Sequence, residues 1–124
     1  MSQNLIRPDE SKEYYTNERC FILEMLNNHD NEKPFSIARA RVEPGMTTAW
    51  HRLNGILEFY YILDGQGIME IGDEPGFDIQ KNDIVKIDAN KAQRIKNIGE
   101  DDLIFLAICY PPFTDANYED FENS

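Results

Sequence analysis

No long window of this chain keeps a helical period. Instead, apolar stretches of five to eight residues recur, separated by Gly, Pro, Asn and Asp. "FSIARARV" (35–42) alternates, with Ile37, Arg39 and Arg41 in one phase and Ser36, Ala38, Ala40 and Val42 in the other, which is the period of a strand. "ILEFYYIL" (56–63), "IMEIG" (68–72), "DIVKI" (83–87), "AQRIKNI" (92–98) and "LIFLAICY" (103–110) read as further strands. "CFILEML" (20–26) reads as a strand or a short helix, and "HDNEKP" (29–34) as a loop in which His29 is a surface residue. "EPG" (43–45) and "DEPG" (73–76) are turns, and "DGQG" (64–67) predicts a tight hairpin. "PPF" ends the last strand, since proline has no N–H to give a ladder. Seven or eight short strands with such turns predict an antiparallel sandwich or barrel, with immunoglobulin-like and jelly-roll topologies equally open.

A length of 124 residues predicts one domain able to bury a core without disulfides. Its two cysteines, Cys20 and Cys109, make neither a disulfide framework nor a zinc pattern, and read as free buried thiols. Net charge is −11, from 12 basic and 23 acidic residues with no basic run, which argues against nucleic acid as a partner. No apolar run is long enough for a membrane-spanning helix. The opening "MSQNLIRPDESKEYYTNER" lacks the pattern of a secretory signal, so a cytoplasmic location is expected. Residues 1–18 and the acidic tail 113–124 are expected as solvated ends around a barrel at 19–112.

One stretch carries chemistry. In "PGMTTAWHRLNGILEFYYILDGQG" (44–67) the landmarks are Gly45, His51, Leu53, Glu58 and Gly65, with an acid placed among residues that favour burial. This spacing resembles the first motif of the cupins: G, five residues, H-x-H, three or four residues, E, six residues, G. Four of five landmarks agree, and Leu53 stands where the second histidine would be. The second cupin motif falls in register on Asn82, Asp88, Asn90, Gln93 and Asn97, of which only Asn97 agrees by identity. Asparagine tolerates the left-handed conformation, so Asn82 and Asn90 can keep turns the family builds with glycine.

The resemblance spans roughly residues 35–112 and is to small single-domain cupins of the conserved-barrel type. It implies an all-β double-stranded β-helix, a jelly-roll barrel that often dimerises. Metal-binding cupins use the two histidines and the glutamate of motif one and the histidine of motif two. Carried over, the ligand set is His51, Glu58 and Gln93 for a divalent metal such as Fe, Mn, Ni or Zn. Three ligands with open positions can hold a catalytic metal. A neutral amide oxygen is a poor donor, however, and losing two imidazoles predicts weak or absent occupancy.

Strand alternation extends the site. Ala49, His51 and Leu53 share a face, as do Glu58, Tyr60 and Ile62, then Gln93, Ile95 and Asn97, then Phe105, Ala107 and Cys109. The expectation is a narrow apolar pocket whose polar groups are His51, Glu58, Tyr60, Gln93, Asn97 and Cys109, the composition of a small-molecule site. Trp50, Arg52, Phe59 and Tyr61 take the outer phase; Arg39 and Arg41 are expected to pair with surface acids. Burial of Glu58 without a cation predicts a raised pKa.

Three functions follow: a cupin that binds a small molecule with a divalent metal, a metal-free ligand-binding or sensing module, and a metal-free enzyme such as an isomerase with His51 and Glu58 as acid/base partners. A homodimer is expected, with the outer aromatics covered and 20–26 adding to a partner's sheet edge.

Overall fold

The computed structural model describes residues 4–27 and 33–122; His29 lies outside the described residues. Eleven strands are found there: β1 (Tyr14–Tyr15), β2 (Phe21–Leu26), β3 (Ser36–Val42), β4 (His51–Leu53), β5 (Leu57–Asp64), β6 (Gln66–Ile71), β7 (Phe77–Gln80), β8 (Ile84–Ile87), β9 (Gln93–Asn97), β10 (Leu103–Tyr110) and β11 (Tyr118–Asp120). They form two antiparallel sheets, ordered β1-β2-β3-β10-β5-β8 and β11-β4-β9-β6-β7. This is the expected jelly roll. "CFILEML" is strand, and β1, β7 and β11, two to four residues long, are not among the expected strands.

The faces follow the period of two. Along β3 the buried residues are Ser36, Ala40 and Val42, and along β5 they are Glu58, Tyr60 and Ile62. The core between the sheets is built from Val42, Ile62, Met69, Ile95, Leu103 and Phe105, all nearly inaccessible. Each large side chain of this kind contributes roughly 1.5–3 kcal/mol on burial. Both cysteines are free and buried.

One predicted turn is of another kind. Residues 64–67 do not close a hairpin, because β5 and β6 lie in different sheets. The chain crosses from one sheet to the other there, so β5 pairs with β8 and β10 while β6 pairs with β7 and β9. Gly65 is required on two counts. Its φ is +96°, and a Cβ would lie 3.0 Å from the Leu103 Cα and 3.1 Å from the Asp102 carbonyl oxygen. Asn82 and Asn90 do take positive φ, at 77° and 70°.

The ends of the described chain are not simply solvated. Arg39 pairs with Glu10 at 2.7 Å, and Arg41 with Glu13 at 2.7 Å and Asp102 at 3.1 Å, so two arginines on β3 clamp the N-terminal segment to the sheet. The acidic tail adds β11 to the edge of β4, with Tyr118 opposite Leu53 and Asp120 opposite His51. Hydrogen bonding to a free strand edge outweighs the tail's preference for solvent. β2 is flanked by β1 and β3, and β1 covers only its Phe21 and Ile22.

Candidate functional site

A cavity of about 450 Å³ lies within the barrel. His51, Leu53, Glu58, Tyr60 and Cys109 line it, with Phe105 and Ala107 from β10. Its rim includes exposed Tyr14, Asn17, Glu24 and Asp115. His51 and Leu53 are buried on β4 with Trp50 and Arg52 in the opposite phase, as alternation requires.

Glu58 is 5% exposed. Gln93 Nε2 donates to its Oε1 at 2.7 Å, and the Tyr60 hydroxyl donates to Gln93 Oε1 at 2.7 Å. The thiol of Cys109 is 3.6 Å from Glu58 Oε2. Gln93 thus bridges β9 of one sheet to two residues of β5 in the other. Burial pushes the Glu58 carboxyl up from its ordinary 4.5 to about 7, against the opposing pull of Gln93 and His51. Burial also lifts the Cys20 thiol to about 12 and raises that of Cys109, so neither is a reactive thiolate.

His51 is held by Ala49. Its Nδ1 lies 2.7 Å from the Ala49 carbonyl, an acceptor only, so Nδ1 carries the proton. The Nε2 faces Glu18 Oε2 at 3.9 Å. Ala49 fixes both residues, since its own N–H donates to the Glu18 carbonyl at 3.1 Å. Tyr118 stacks on the imidazole, with ring centroids 5.1 Å apart and planes 23° from parallel.

The candidates therefore separate. His51, Glu58, Tyr60 and Cys109 face the cavity. Gln93 lies behind Glu58 and Tyr60 as their buried connector. Asn97 is fully buried away from the cavity and is structural: its Nδ2 donates to the Val42 and Asp101 carbonyls, and its Oδ1 accepts from Gly99 N–H. Glu18 and Tyr118 were not legible as site residues. Neither belongs to a spaced motif, and only the β1–β2 turn and the tail's pairing with β4 bring them to the cavity.

The three-ligand metal set does not fit these residues. Both polar atoms of the Gln93 amide are engaged, with the amide nitrogen, not the oxygen, aimed at Glu58. Leu53 offers an alkyl group where an imidazole would be. Among the described residues no three His, Cys, Asp or Glu side chains converge into a cation site.

Residues 38–109 match the cupin domain family. The chain is a cupin. An uncharacterized protein of Methanocaldococcus jannaschii is 34% identical over 116 residues, 92% of this chain and 91% of that one. An oxalate-binding protein of Thermotoga maritima is 32% identical over 93 residues, 73% of each chain. A predicted oxalate decarboxylase from Thermotoga maritima superposes with a TM-score of 0.71 at 25% identity, covering 89% of this cupin and 96% of that chain. An oxalate decarboxylase of Bacillus subtilis with Mn(II) centres superposes at 0.77 with 20% identity, over 90% of this chain and 30% of its own.

Proposed function

We propose that this cupin is a small-molecule-binding protein whose pocket works without a resident metal. The observation that carries this reading is the Tyr60–Gln93–Glu58 chain of hydrogen bonds, each 2.7 Å, which occupies the position where the family places metal ligands. A satisfied buried network is stable as it stands and would have to be broken to free the Gln93 oxygen. Above it, apolar walls with few polar atoms suit a small organic ligand.

Oxalate, the ligand named for the Thermotoga maritima relative, fits this pocket poorly. No Lys or Arg lines the cavity among the described residues, whereas Glu18 and Glu58 both do. A dianion facing two carboxylates in a low-dielectric cavity is repelled unless a cation intervenes.

The test is elemental analysis of untagged protein purified without chelator, followed by ligand screening with thermal shift in EDTA. The expected result is metal well below one equivalent and stabilisation by a small organic ligand that persists in EDTA. Metal near one equivalent that disappears in His51→Ala overturns the reading.

A second reading rests on one observation: a Glu58 carboxyl near 7, on a cavity shared with His51, suits general acid/base catalysis at neutral pH. Turnover of a stabilising ligand, lost in Glu58→Gln, separates catalysis from binding alone. We also propose a homodimer. Ile84 on the edge strand β8 is 69% exposed and Tyr110 63%, apolar surface that a second copy would cover. Light scattering that gives the mass of a single chain at micromolar concentration argues against it.

A further inference from the structure

Near His51 the cavity presents acceptors, one imidazole nitrogen and a carboxylate, and a phenol hydroxyl that can both donate and accept. Nδ1 of His51 donates to Ala49, so in the neutral tautomer Nε2 carries the lone pair. The Glu18 carboxylate 3.9 Å away is too far for a direct hydrogen bond and makes none among the described residues. Glu58 already accepts from Gln93 and lies beside Cys109. The hydroxyl of Tyr118, on a ring that also lines the cavity, is buried and has no hydrogen-bond partner among the described residues. Carboxylates, a free imidazole nitrogen and an unpartnered hydroxyl therefore face a space in which no Lys or Arg is present among the described residues.

We propose that the cavity binds an organic ammonium, an alkyl or arylalkyl primary amine, with Glu18 and His51 Nε2 receiving its N–H groups. Two acceptors 3.9 Å apart both come within hydrogen-bond reach of one nitrogen placed between them. The rings of Tyr60, Phe105 and Tyr118 line the same space and suit the ligand's apolar body. The opposed charge of Glu18, half-buried at the rim, is worth more there than at an open surface. Burial raises the Glu18 carboxyl against the opposing pull of His51. Glu18 and Tyr118 both lie outside residues 38–109, so this selectivity belongs to the chain's own end segments and not to the shared cupin barrel.

This inference rests on the metal-free pocket, and the experiment keeps the two apart. The probes are phenethylammonium, its neutral analogue 2-phenylethanol and its anionic analogue phenylacetate, titrated by calorimetry in EDTA at pH 7.5. Phenethylammonium is expected to bind most tightly, with phenylacetate at least about tenfold weaker. Glu18→Gln is expected to weaken phenethylammonium by roughly 10- to 100-fold and to leave 2-phenylethanol unchanged. Tyr118→Phe serves as a second variant that keeps the ring stack, with a smaller loss of amine affinity than Glu18→Gln. Equal binding of amine and alcohol, or an amine affinity indifferent to Glu18→Gln, overturns the ammonium assignment while the metal-free pocket stands. Binding of phenylacetate or oxalate only after Mn(II) is added overturns both. Failure of phenethylammonium, n-hexylammonium and benzylammonium alike to bind also overturns the assignment.

Discussion

Gln93 donates to Glu58 at 2.7 Å from the position where metal-binding cupins place a histidine. The amide turns a ligand position into a structural link, because its second polar atom is taken by Tyr60. Glu58 and Tyr60 sit on β5 and Gln93 on β9, so this link ties the two sheets together across the base of the cavity.

Replacing Gln93 with leucine should therefore act on stability before it acts on binding. It strands a buried carboxyl and a buried phenol at once. The expected loss is about 2–4 kcal/mol, from leaving two buried groups unsatisfied. Urea denaturation at pH 7 checks it, and a loss within experimental error would mean that the network contributes nothing.

Glu58 should make stability fall as pH rises. Its folded value of about 7 lies above its ordinary 4.5. The unfolded chain thus releases this proton first, and the folded form retains it up to neutral pH. The contribution is fully present below 4.5 and lost as pH passes through 7, a change of roughly 3 kcal/mol for this group. Gln93 and Cys109 through hydrogen bonds and His51 and Glu18 through charge act on the same carboxyl, so the comparison must be made against Glu58→Gln. The variant's stability relative to the parent should rise between pH 5 and 8; parallel profiles would contradict the shift.

Restoring the imidazoles should restore metal. In the double variant Leu53→His, Gln93→His the donor set becomes three histidines and a glutamate. Elemental analysis should then approach one equivalent of divalent metal, against far less in the parent. Leu53 packs with Ile56 and Cys109, so the variant also loses stability, by about 2–4 kcal/mol for a polar group placed in an apolar cluster. Absence of metal in a folded double variant would show that the barrel itself, and not the missing ligands, prevents binding.

Gly65→Ala should be strongly destabilising, by about 2–4 kcal/mol, since it combines a positive φ with a Cβ pressed on backbone at 3.0 Å. Gly45→Ala is the control. It shares the positive φ, 79°, but nothing lies within 4 Å of its Cβ, so it should lose only about 1 kcal/mol. Thermal unfolding of the pair separates backbone conformation from crowding.

The sequence by itself determined the longer strands of the barrel and the alternation along them, and the resemblance to the cupin motifs implied the inward phase of His51, Glu58 and Gln93 and the left-handed turns at Asn82 and Asn90. The strands are legible because alternation depends on neighbours a few residues apart. The cupin spacing from Gly45 to Gly65 is legible because it is a fixed count of residues along the chain. What only the tertiary structure decided depends on partners far apart in the chain. Residues 64–67 look like a hairpin because glycines allow both a hairpin and a crossing between sheets, and only the pairing of β6 with β9 chooses. Asn97 agrees with the motif by identity, yet it caps a turn away from the cavity. Glu18 and Tyr118 carry no local signal at all. They reach His51 because Ala49 holds the β1–β2 turn and because β11 completes the edge of β4, backbone contacts that no local pattern encodes.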